Sequence, residues 1–447
     1  MQLRLPRKDA LLALKFVSSV TSSYIKNPLL IYANKDKQEC GFVCQNDDTY
    51  IRYYFPAEVQ MSGVYAVPKE ENLLNALTQT ESAYYIVSMG KNSNVYRDAE
   101  FKQLIFRDLS DNTSVRILVE DIEESNNIKK FFSDISKKEE DFEDYSFSLD
   151  KKDFLRFSWF LNVVSNVKYS EEKCLHVFMN IPSTDKVIFY ASDTIRLGVK
   201  KYPISISEEF FNSNSKHANY FSIYKDSFNS LVKSLNEIKK SDKVNFWINK
   251  SRKSICCKDN NFCIILNTTK TTPFNYQNVL NIKDSSNVRF ACFKRDEIYD
   301  TVKRITEIVK EENTLFFFIS KDLGLCSCSD DLFDGVSAYE FINVLSNSSE
   351  DAFYFCFGRQ VLDILKTIDS EYVGFAIKDK ENSFVFPVKD LANTLSLKDI
   401  LSSDEVYVIA PILVDSVQLK EYIDNLLQNT KEDSKREEEI LMRFLKI

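Results

Sequence analysis

The stretch Arg7–Ser23, RKDALLALKFVSSVTSS, carries the pattern from which the fold is predicted. Its apolar residues Ala10, Leu14, Val17 and Val20 recur at intervals of three or four positions. In a helix of about 3.6 residues per turn, this spacing puts all of them on one face. We therefore expect this helix to pack on a β-sheet through that face and to expose its other face to solvent.

The same helix pattern occurs twice more, and a second, shorter helix follows each copy. Runs rich in branched and aromatic residues, which favour strands, lie between the helices. The sequence therefore predicts an α+β chain of three similar helix–sheet domains. The later copies are Lys151–Val167, with Phe154, Phe157, Leu161 and Val164, and Lys294–Glu311, with Ile298, Val302, Ile305 and Val309. The shorter helices are predicted at Pro68–Gln79, Lys225–Lys239 and Gly358–Ile368.

The composition is that of a globular protein with a sizeable core. Of its 447 residues 44% are hydrophobic and 28% are charged. No apolar run reaches the ~18 residues of a membrane-spanning helix. Arg4, Arg7, Lys8 and Asp9 interrupt any signal-peptide pattern, so a cytoplasmic location is expected. The 10 cysteines lack zinc-site spacing and are expected to be reduced core thiols.

The sequence offers little for catalysis. It contains no phosphate-binding glycine loop, no nucleophile elbow and no zinc-protease motif. Its two histidines leave few candidates for acid–base chemistry. Carboxylate pairs such as Asp330–Asp331 lie in charged, loop-like stretches that favour a solvated surface. We expect a binding protein that uses no cofactor and no metal, rather than an enzyme.

Basic residues recur on the predicted helices, although the net charge of the chain is −8. Helices that present positive charge to one channel suit the phosphate backbone of DNA without reading its sequence. The alternative is a set of ordinary solvated helix faces, because Glu297, Glu307 and Asp363 are interspersed. The candidate DNA-channel residues are Arg7, Lys8, Lys15, Lys151, Lys152, Arg156, Lys233, Lys239, Lys294, Arg295, Lys303, Arg304, Arg359 and Lys366.

Three stretches match a known set of motifs in the same order. The matching residues are Asp193, Arg196 and Leu197 in Tyr190–Ile204; Tyr276, Val279 and Leu280 in Pro273–Asn281; and Leu362, Asp363, Leu365, Tyr407, Pro411 and Ile412 in Phe355–Val414. These motifs resemble those of the bacterial DNA sliding clamps, the beta subunits of DNA polymerase III. The chain resembles a divergent member, because Thr194 and Ile195 replace a Gly-His pair and Leu413 replaces an arginine.

The resemblance implies a processivity factor that encircles double-stranded DNA. Its members form head-to-tail homodimeric rings in which helices line the channel, and a clamp-loader ATPase opens the ring. The implied division is clamp domain 1 with an acidic linker at residues 1–142, domain 2 at 143–275, domain 3 at 276–414 and an extension at 415–447. The alternatives are a clamp-like scaffold or decoy that does not encircle DNA, and an enzyme on an unfamiliar α+β fold.

The resemblance also implies a hydrophobic cleft where the replicative DNA polymerase and other partners dock short peptides. Such a groove binds its ligands by burying a few apolar anchor residues. The alternative is that these positions are plain core residues of two domains. The implied cleft residues are Met179, Thr194, Arg196, Leu197, Val279, Val302, Val408, Ile409, Ala410, Pro411 and Ile412.

The chain departs from the family pattern in three segments. Glu120–Asp144 is charge-rich and is expected to be an extended linker, and Val388–Glu405 is an insertion without an assigned function. Beyond Val414 the extension ends in the apolar segment Ile440–Ile447. We hypothesise that this segment docks in the cleft or recruits a partner; the alternative is a mobile or surface-packed helix.

Overall fold

The computed structural model describes most of the chain as two compact units. Unit 1 comprises Met1–Ser158, His176–Val187 and Pro203–Thr272, and unit 2 comprises Trp159–Leu175, Ile188–Tyr202 and Pro273–Ile447. The described residues are 1–18, 28–68, 70–78, 83–90, 94–96, 99–108, 113–120, 128–140, 142, 145–165, 172–211, 219–249, 251, 253–280, 288–309, 314–320, 323–329, 337–348, 352–378, 383–389, 403–410, 412, 419 and 421–423. The three-domain division stays a prediction.

The predicted pairs of helices are present, and the described residues of the three predicted first-helix stripes are buried, while Val20 lies outside the described residues. Leu14, Phe157 and Val302 each expose no more than 1% of their surface. Each stripe therefore faces a sheet, as the spacing predicted. The helices are α1 (Arg7–Val17), α2 (Glu70–Thr78), α3 (Ile128–Glu140), α4 (Lys151–Ser165), α5 (Lys225–Glu237), α6 (Tyr276–Leu280), α7 (Arg295–Ile308) and α8 (Val361–Thr367).

The strands are short, and most of them pair antiparallel with a strand that lies near them in the sequence. In chain order they are β1 (Gln2–Pro6), β2 (Leu29–Asn34), β3 (Glu39–Gln45), β4 (Thr49–Pro56), β5 (Glu58–Met61), β6 (Gly63–Val67), β7 (Tyr84–Met89), β8 (Asn94–Tyr96), β9 (Ala99–Asp108), β10 (Ser114–Glu120), β11 (Tyr145–Asp150), β12 (His176–Ser183), β13 (Lys186–Ser192), β14 (Arg196–Pro203), β15 (Tyr220–Tyr224), β16 (Lys243–Ile248), β17 (Ser254–Asp259), β18 (Phe262–Asn267), β19 (Val288–Lys294), β20 (Thr314–Ser320), β21 (Leu323–Ser329), β22 (Ser337–Asn343), β23 (Ser346–Asn347), β24 (Phe353–Gly358), β25 (Tyr372–Lys378), β26 (Ser383–Val388) and β27 (Glu405–Ile409).

Unit 1 is built on one long antiparallel sheet. Its strands follow the order β11-β16-β17-β18-β4-β3-β2-β6-β10-β9-β7-β1-β5, with β8 beside β9. The join between β18 and β4 sets Phe262 opposite Tyr53 and Leu266 opposite Thr49. Helix α1 packs beside α5, where the Ser234 hydroxyl donates to the Phe16 carbonyl at 2.8 Å. Helices α1 and α5, which the sequence assigned to different repeats, therefore lie side by side in unit 1.

Unit 2 contains two sheets. In the first, β14, β27, β26, β25, β19 and β23 pair in that order. In the second, the order is β22-β21-β20-β24. Helix α7 packs on β22 and β21 and lies beside α8. In the core, the Phe375 ring meets the rings of Phe317 and Phe355 edge to face, with 5.4 and 5.7 Å between ring centres.

The prediction of an extended linker at Glu120–Asp144 is wrong, because Ile128–Glu140 forms helix α3. Phe131 and Ile135 lie four residues apart on one face of α3 and are buried against Tyr32, Tyr50 and neighbouring side chains of the unit 1 sheet. The many charged residues of this helix obscured the apolar spacing of Phe131 and Ile135 in the sequence. Helix α3 therefore covers a part of the sheet surface instead of spanning a gap.

A buried arginine holds α3 to the sheet. The Arg52 guanidinium donates to Glu139 on α3 at 2.8 Å, to Glu39 at 3.3 Å and to the Tyr32 hydroxyl at 2.8 Å. Its side chain is 6% exposed and lies 4.3 Å from the centre of the Tyr54 ring. Burial raises the pKa of Tyr32, so its hydroxyl stays neutral and can accept this bond. The buried Arg52 cation is thus paired with two carboxylates and a hydroxyl, and it stacks on an aromatic ring.

A second cover lies on the sheet β22-β21-β20-β24 of unit 2. Leu419, Tyr422 and Ile423 of the C-terminal extension are buried there against Phe316 and Cys356. The Tyr422 ring stacks on Phe316 with 5.0 Å between ring centres, and its hydroxyl is hydrogen-bonded to Ser327. The described part of the extension is therefore packed on a sheet face. The rest of it, including Ile440–Ile447, and most of the insertion Val388–Glu405 lie outside the described residues.

We expect Arg52→Ala to lower the free energy of unfolding by about 3–5 kcal/mol, since it leaves the buried Glu39 carboxylate without its cation. The matched control is Arg4→Ala, which removes an ion pair to Glu58 whose side chains are 43% and 71% exposed. That loss should be below about 1 kcal/mol. Urea unfolding measures both values. Equal losses would show that the buried cluster does not hold α3.

Candidate functional site

A cleft of about 1030 Å³ lies within unit 2. It is bounded by one face of α7, one face of α8, the end of β24, the turn before β14 and the chain that follows β27. Its apolar wall includes Ile195 and Ile412, which are 50% and 38% exposed. The lining residues are Ile195, Tyr299, Lys303, Thr306, Glu307, Thr314, Gly358, Arg359, Gln360, Leu362, Asp363, Lys366, Ile409, Ala410 and Ile412.

The turn Asp193–Arg196 presents Ile195 to the cleft through a left-handed residue. Thr194 has a φ of 77°, which a branched side chain rarely adopts. The Asp193 carboxylate compensates by accepting the backbone N–H of Ile195 at 3.1 Å and that of Arg196 at 2.6 Å. Glycine occupies the position of Thr194 in the resembling family. The turn is therefore retained here without the residue that favours it.

The Arg196 side chain ties this turn to helix α8. Its Nε and one terminal nitrogen donate to Asp193 at 2.8 and 2.7 Å, and its other terminal nitrogen donates to Asp363 at 2.6 Å. Arg196 is 6% exposed, while the Asp363 side chain is 35% exposed and lines the cleft. Arg196 thus fixes two walls of the cleft without offering its own surface to a ligand.

The β14–β27 ladder sets the third wall. It pairs Arg196 with Ile409 and Lys200 with Glu405, whose side chains form an ion pair at 2.6 Å. Past the ladder, the Ala410 N–H donates to the Ile195 carbonyl at 2.8 Å. The Ile412 N–H then donates to the Cys356 carbonyl at 3.1 Å. Backbone bonds therefore hold both exposed isoleucines in place.

The structure brings together only some of the predicted cleft residues. Ile409, Ala410 and Ile412 line the cleft, and Thr194 and Arg196 form its supporting turn. The core contains Met179 of unit 1 and, in unit 2, Leu197, Val302 and Val408, each at most 4% exposed. Val279 is half-buried on α6, and Pro411 lies outside the described residues. A ligand-binding role for this set stays a prediction.

Sequence reasoning missed the helical walls of the cleft as a unit. On α7, Tyr299, Lys303, Thr306 and Glu307 recur at helical spacing, and Arg359, in the turn before α8, is followed at the same spacing by Leu362, Asp363 and Lys366 on α8. Each set stands at i, i+3 or i+4, and i+7, which marks one helix face. That spacing was visible in the sequence, but the basic members were assigned to a DNA channel instead.

The predicted DNA-channel residues of unit 1 differ in exposure. Lys8, Lys15, Lys152, Lys233 and Lys239 are exposed. Arg7, Arg156 and Lys151 are less exposed: Arg7 donates to the carbonyls of Leu77 and Thr78 at 2.7 and 3.2 Å, Arg156 pairs with Asp153 at 2.6 Å, and Lys151 donates to the Ile238 carbonyl.

In unit 2 the predicted DNA-channel residues either pair with acidic neighbours or line the cleft. Lys294 pairs with Glu297 at 3.2 Å, Arg295 with Asp296 at 2.8 Å and Arg304 with Glu340 at 2.6 Å. Lys303, Arg359 and Lys366 line the cleft, where the Lys366 ammonium lies 4.4 Å from the Trp159 ring centre. A DNA-binding role for these residues stays a prediction.

The described residues contain no cluster of three or more histidine, cysteine, aspartate or glutamate side chains that could hold a metal ion. Within the same described set, no helix is both long and apolar enough to cross a membrane.

Comparison with solved structures identifies the fold of these helix-and-sheet units. The DNA polymerase III beta subunit of Thermotoga maritima superposes with a TM-score of 0.68 at 13% identity, covering 93% of this chain and 100% of that one. A putative beta subunit from Eubacterium rectale gives a TM-score of 0.69 at 14% identity, with the same coverage. The Helicobacter pylori beta clamp, solved with a DNA ligase peptide bound, gives a TM-score of 0.67 at 12% identity, again with the same coverage.

The chain therefore has the fold of the bacterial beta sliding clamp. The predicted resemblance is confirmed at the level of structure. No protein-family model and no curated protein matches the sequence.

Thr194→Gly should raise the free energy of unfolding by up to about 1 kcal/mol. Glycine relieves a left-handed conformation that is unfavourable by about 1–2 kcal/mol, and part of that gain is offset by the greater freedom of the unfolded chain. The control is Thr184→Gly, in a turn whose φ is not positive, which should destabilise the protein. Chemical denaturation tests both variants. A destabilised Thr194→Gly would mean that the threonine side chain contributes more than its strain removes.

Proposed function

We propose that this chain is a DNA sliding clamp, a non-enzymatic processivity factor that encircles duplex DNA and tethers a polymerase through the unit 2 cleft. The observation that carries the proposal is the cleft itself, on a beta-clamp fold that covers 93% of the chain. The replicative polymerase and a clamp-loader ATPase would be its cytoplasmic partners.

The chemistry of the cleft suits short peptides with apolar anchors. Ile195 and Ile412 expose apolar surface beside Leu362 and Ala410, and a rim of Lys303, Glu307, Arg359 and Lys366 surrounds them. Buried anchors supply most of the binding energy in such grooves, while rim charges set orientation. The Helicobacter pylori clamp that carries a ligase peptide supports the same use of the fold here.

Two strand edges support a head-to-tail ring. Within the described residues β10 pairs with β6 only at Glu120 and Ala66, so Ser114–Val119 have no strand on that side, and Leu118 is 50% exposed. In unit 2, β22 ends its sheet order. An open edge is a template for pairing with another chain. We propose that β10 of one protomer pairs with β22 of the next and closes a homodimer.

A second candidate is a clamp-like scaffold or decoy that does not encircle DNA. The engagement of Lys151, Arg156, Lys294, Arg295 and Arg304 within the protein favours it, since these cations are less available to phosphates. Light-scattering mass and retention on nicked circular DNA separate the two. A mass near twice 52.0 kDa with retention that is lost on linearisation supports the ring. A monomer that never stays on circles, even with its loader, supports the scaffold.

The combined variant Lys8→Glu, Lys15→Glu and Lys233→Glu should shorten retention on nicked circles and reduce its salt dependence. These side chains are exposed on α1 and α5, and each phosphate contact contributes a similar increment to the salt slope. A variant with Lys35→Glu and Lys37→Glu, in the exposed β2–β3 turn, carries two of the same reversals away from the helices and serves as the control. Equal losses in both would contradict a channel lined by α1 and α5.

Ile412→Asp should weaken binding of a fluorescein-labelled peptide with leucine and phenylalanine anchors by at least about 10-fold, because it puts a charge in the apolar wall. The matched control is Ile308→Asp, at an isoleucine that is 59% exposed at the end of α7 and does not line the cleft. Fluorescence anisotropy reports both affinities. The same loss in both variants would place the peptide elsewhere.

A further inference from the structure

The C-terminal extension is anchored beside the cleft. Leu419, Tyr422 and Ile423 pack on the sheet β22-β21-β20-β24 and contact the cluster that contains Cys356. Burial raises the pKa of Tyr422, so its ring stays neutral where it stacks on Phe316. This anchor fixes where the rest of the extension starts.

Strand β24 connects the anchor to the cleft. The Cys356 side chain belongs to the anchor cluster, while its carbonyl accepts the N–H of Ile412, an exposed wall residue of the cleft. Gly358, two residues further along β24, also lines the cleft. Two strand residues span about 7 Å. The described anchor therefore packs on a strand that reaches the cleft two residues further along.

The sequence beyond the anchor has the length and composition of a tethered ligand. The sequence places 16 charge-rich residues, 424–439, between the anchor and the apolar segment, and a flexible chain of that length would have an end-to-end distance of roughly 20–24 Å. The segment that follows, Ile440–Ile447, has six apolar residues among eight, with Arg443 and Lys446 between them. That reach is ample for a cleft that begins next to the anchor.

The cleft complements this segment in polarity. Its apolar wall of Ile195, Leu362 and Ile412 accepts aliphatic and aromatic side chains, and Glu307 stands at its border, where it can pair with one of the two basic residues. The insertion of Phe444 and Leu441 would bury the two isoleucines that now face solvent. A tether of this length gives an effective concentration of about 1 mM.

We propose that Ile440–Ile447 occupies the cleft of its own chain and competes with partner peptides, so that the clamp is self-inhibited until a stronger ligand displaces the segment. The proposal rests on the peptide-binding role of the cleft. A segment with an intrinsic Kd near 0.1 mM would then weaken an external peptide by about 10-fold at an effective concentration of about 1 mM.

The test compares the full chain with its Leu441→Ser, Phe444→Ser double variant. The probe is a fluorescein-labelled peptide with leucine and phenylalanine anchors, and fluorescence anisotropy reports its Kd. We expect the double variant to bind the probe about 10-fold more tightly than the unchanged chain. The matched control, Leu426→Ser with Leu427→Ser in the tether, should bind the probe as the unchanged chain does.

A second probe, a labelled peptide of the sequence Ile440–Ile447, should bind the double variant and lose affinity when Ile412→Asp is added. Equal binding of the first probe to the unchanged chain and the double variant, with Ile412→Asp still abolishing it, overturns self-inhibition and leaves the proposed function intact. Binding of neither probe to any variant overturns both proposals.

Discussion

The antiparallel pairing of β14 with β27 is the interaction on which unit 2 depends. It joins Lys200 to Glu405 across 205 residues of sequence, and it closes the sheet through which the turn at Thr194 meets the chain after Ile409. The ion pair between these two side chains is nearly dry, so either one alone would be a buried unpaired charge. Without this ladder Ile195 and Ile412 would have no common surface, and Arg196 could not reach Asp363.

Hydrogen bonds and ion pairs hold the frame of the cleft, whereas Ile195 and Ile412 provide exposed apolar surface. Arg196 and Asp193 fix the turn, and main-chain hydrogen bonds fix Ala410 and Ile412. Such a site separates support from contact, since the charged residues that shape it are buried or lie at its border. Two segments, α3 and the segment at Tyr422, each cover an apolar sheet face that would otherwise face water.

The helical periodicity predicted the paired helices and the α+β class, because a helix with one apolar face buries that face against a sheet. The motif at Asp193–Leu197 indicated the family, but the turn that Asp193 caps there was not predicted and came from the structure. Helix α3 was missed because its apolar positions, Phe131 and Ile135, are diluted by charge, and a local pattern cannot reveal which sheet they cover. The ion pair of Arg304 was equally beyond the sequence, because its partner Glu340 becomes a neighbour only through the tertiary fold, whereas the pair of Arg156 with Asp153 is a local contact of one helix.

The long sequence separation between β14 and β27 also determines when unit 2 can finish folding during synthesis. A ribosome adding about 5–20 residues per second needs roughly 10–40 s to make the residues that separate Lys200 from Glu405. Throughout that interval β14 has emerged while its partner β27 does not yet exist, and an open strand edge can pair with a nascent neighbour on the same messenger. The feature that later holds the cleft together thus makes a growing chain depend on dilution, or on a chaperone at the exit tunnel, until β27 has been translated.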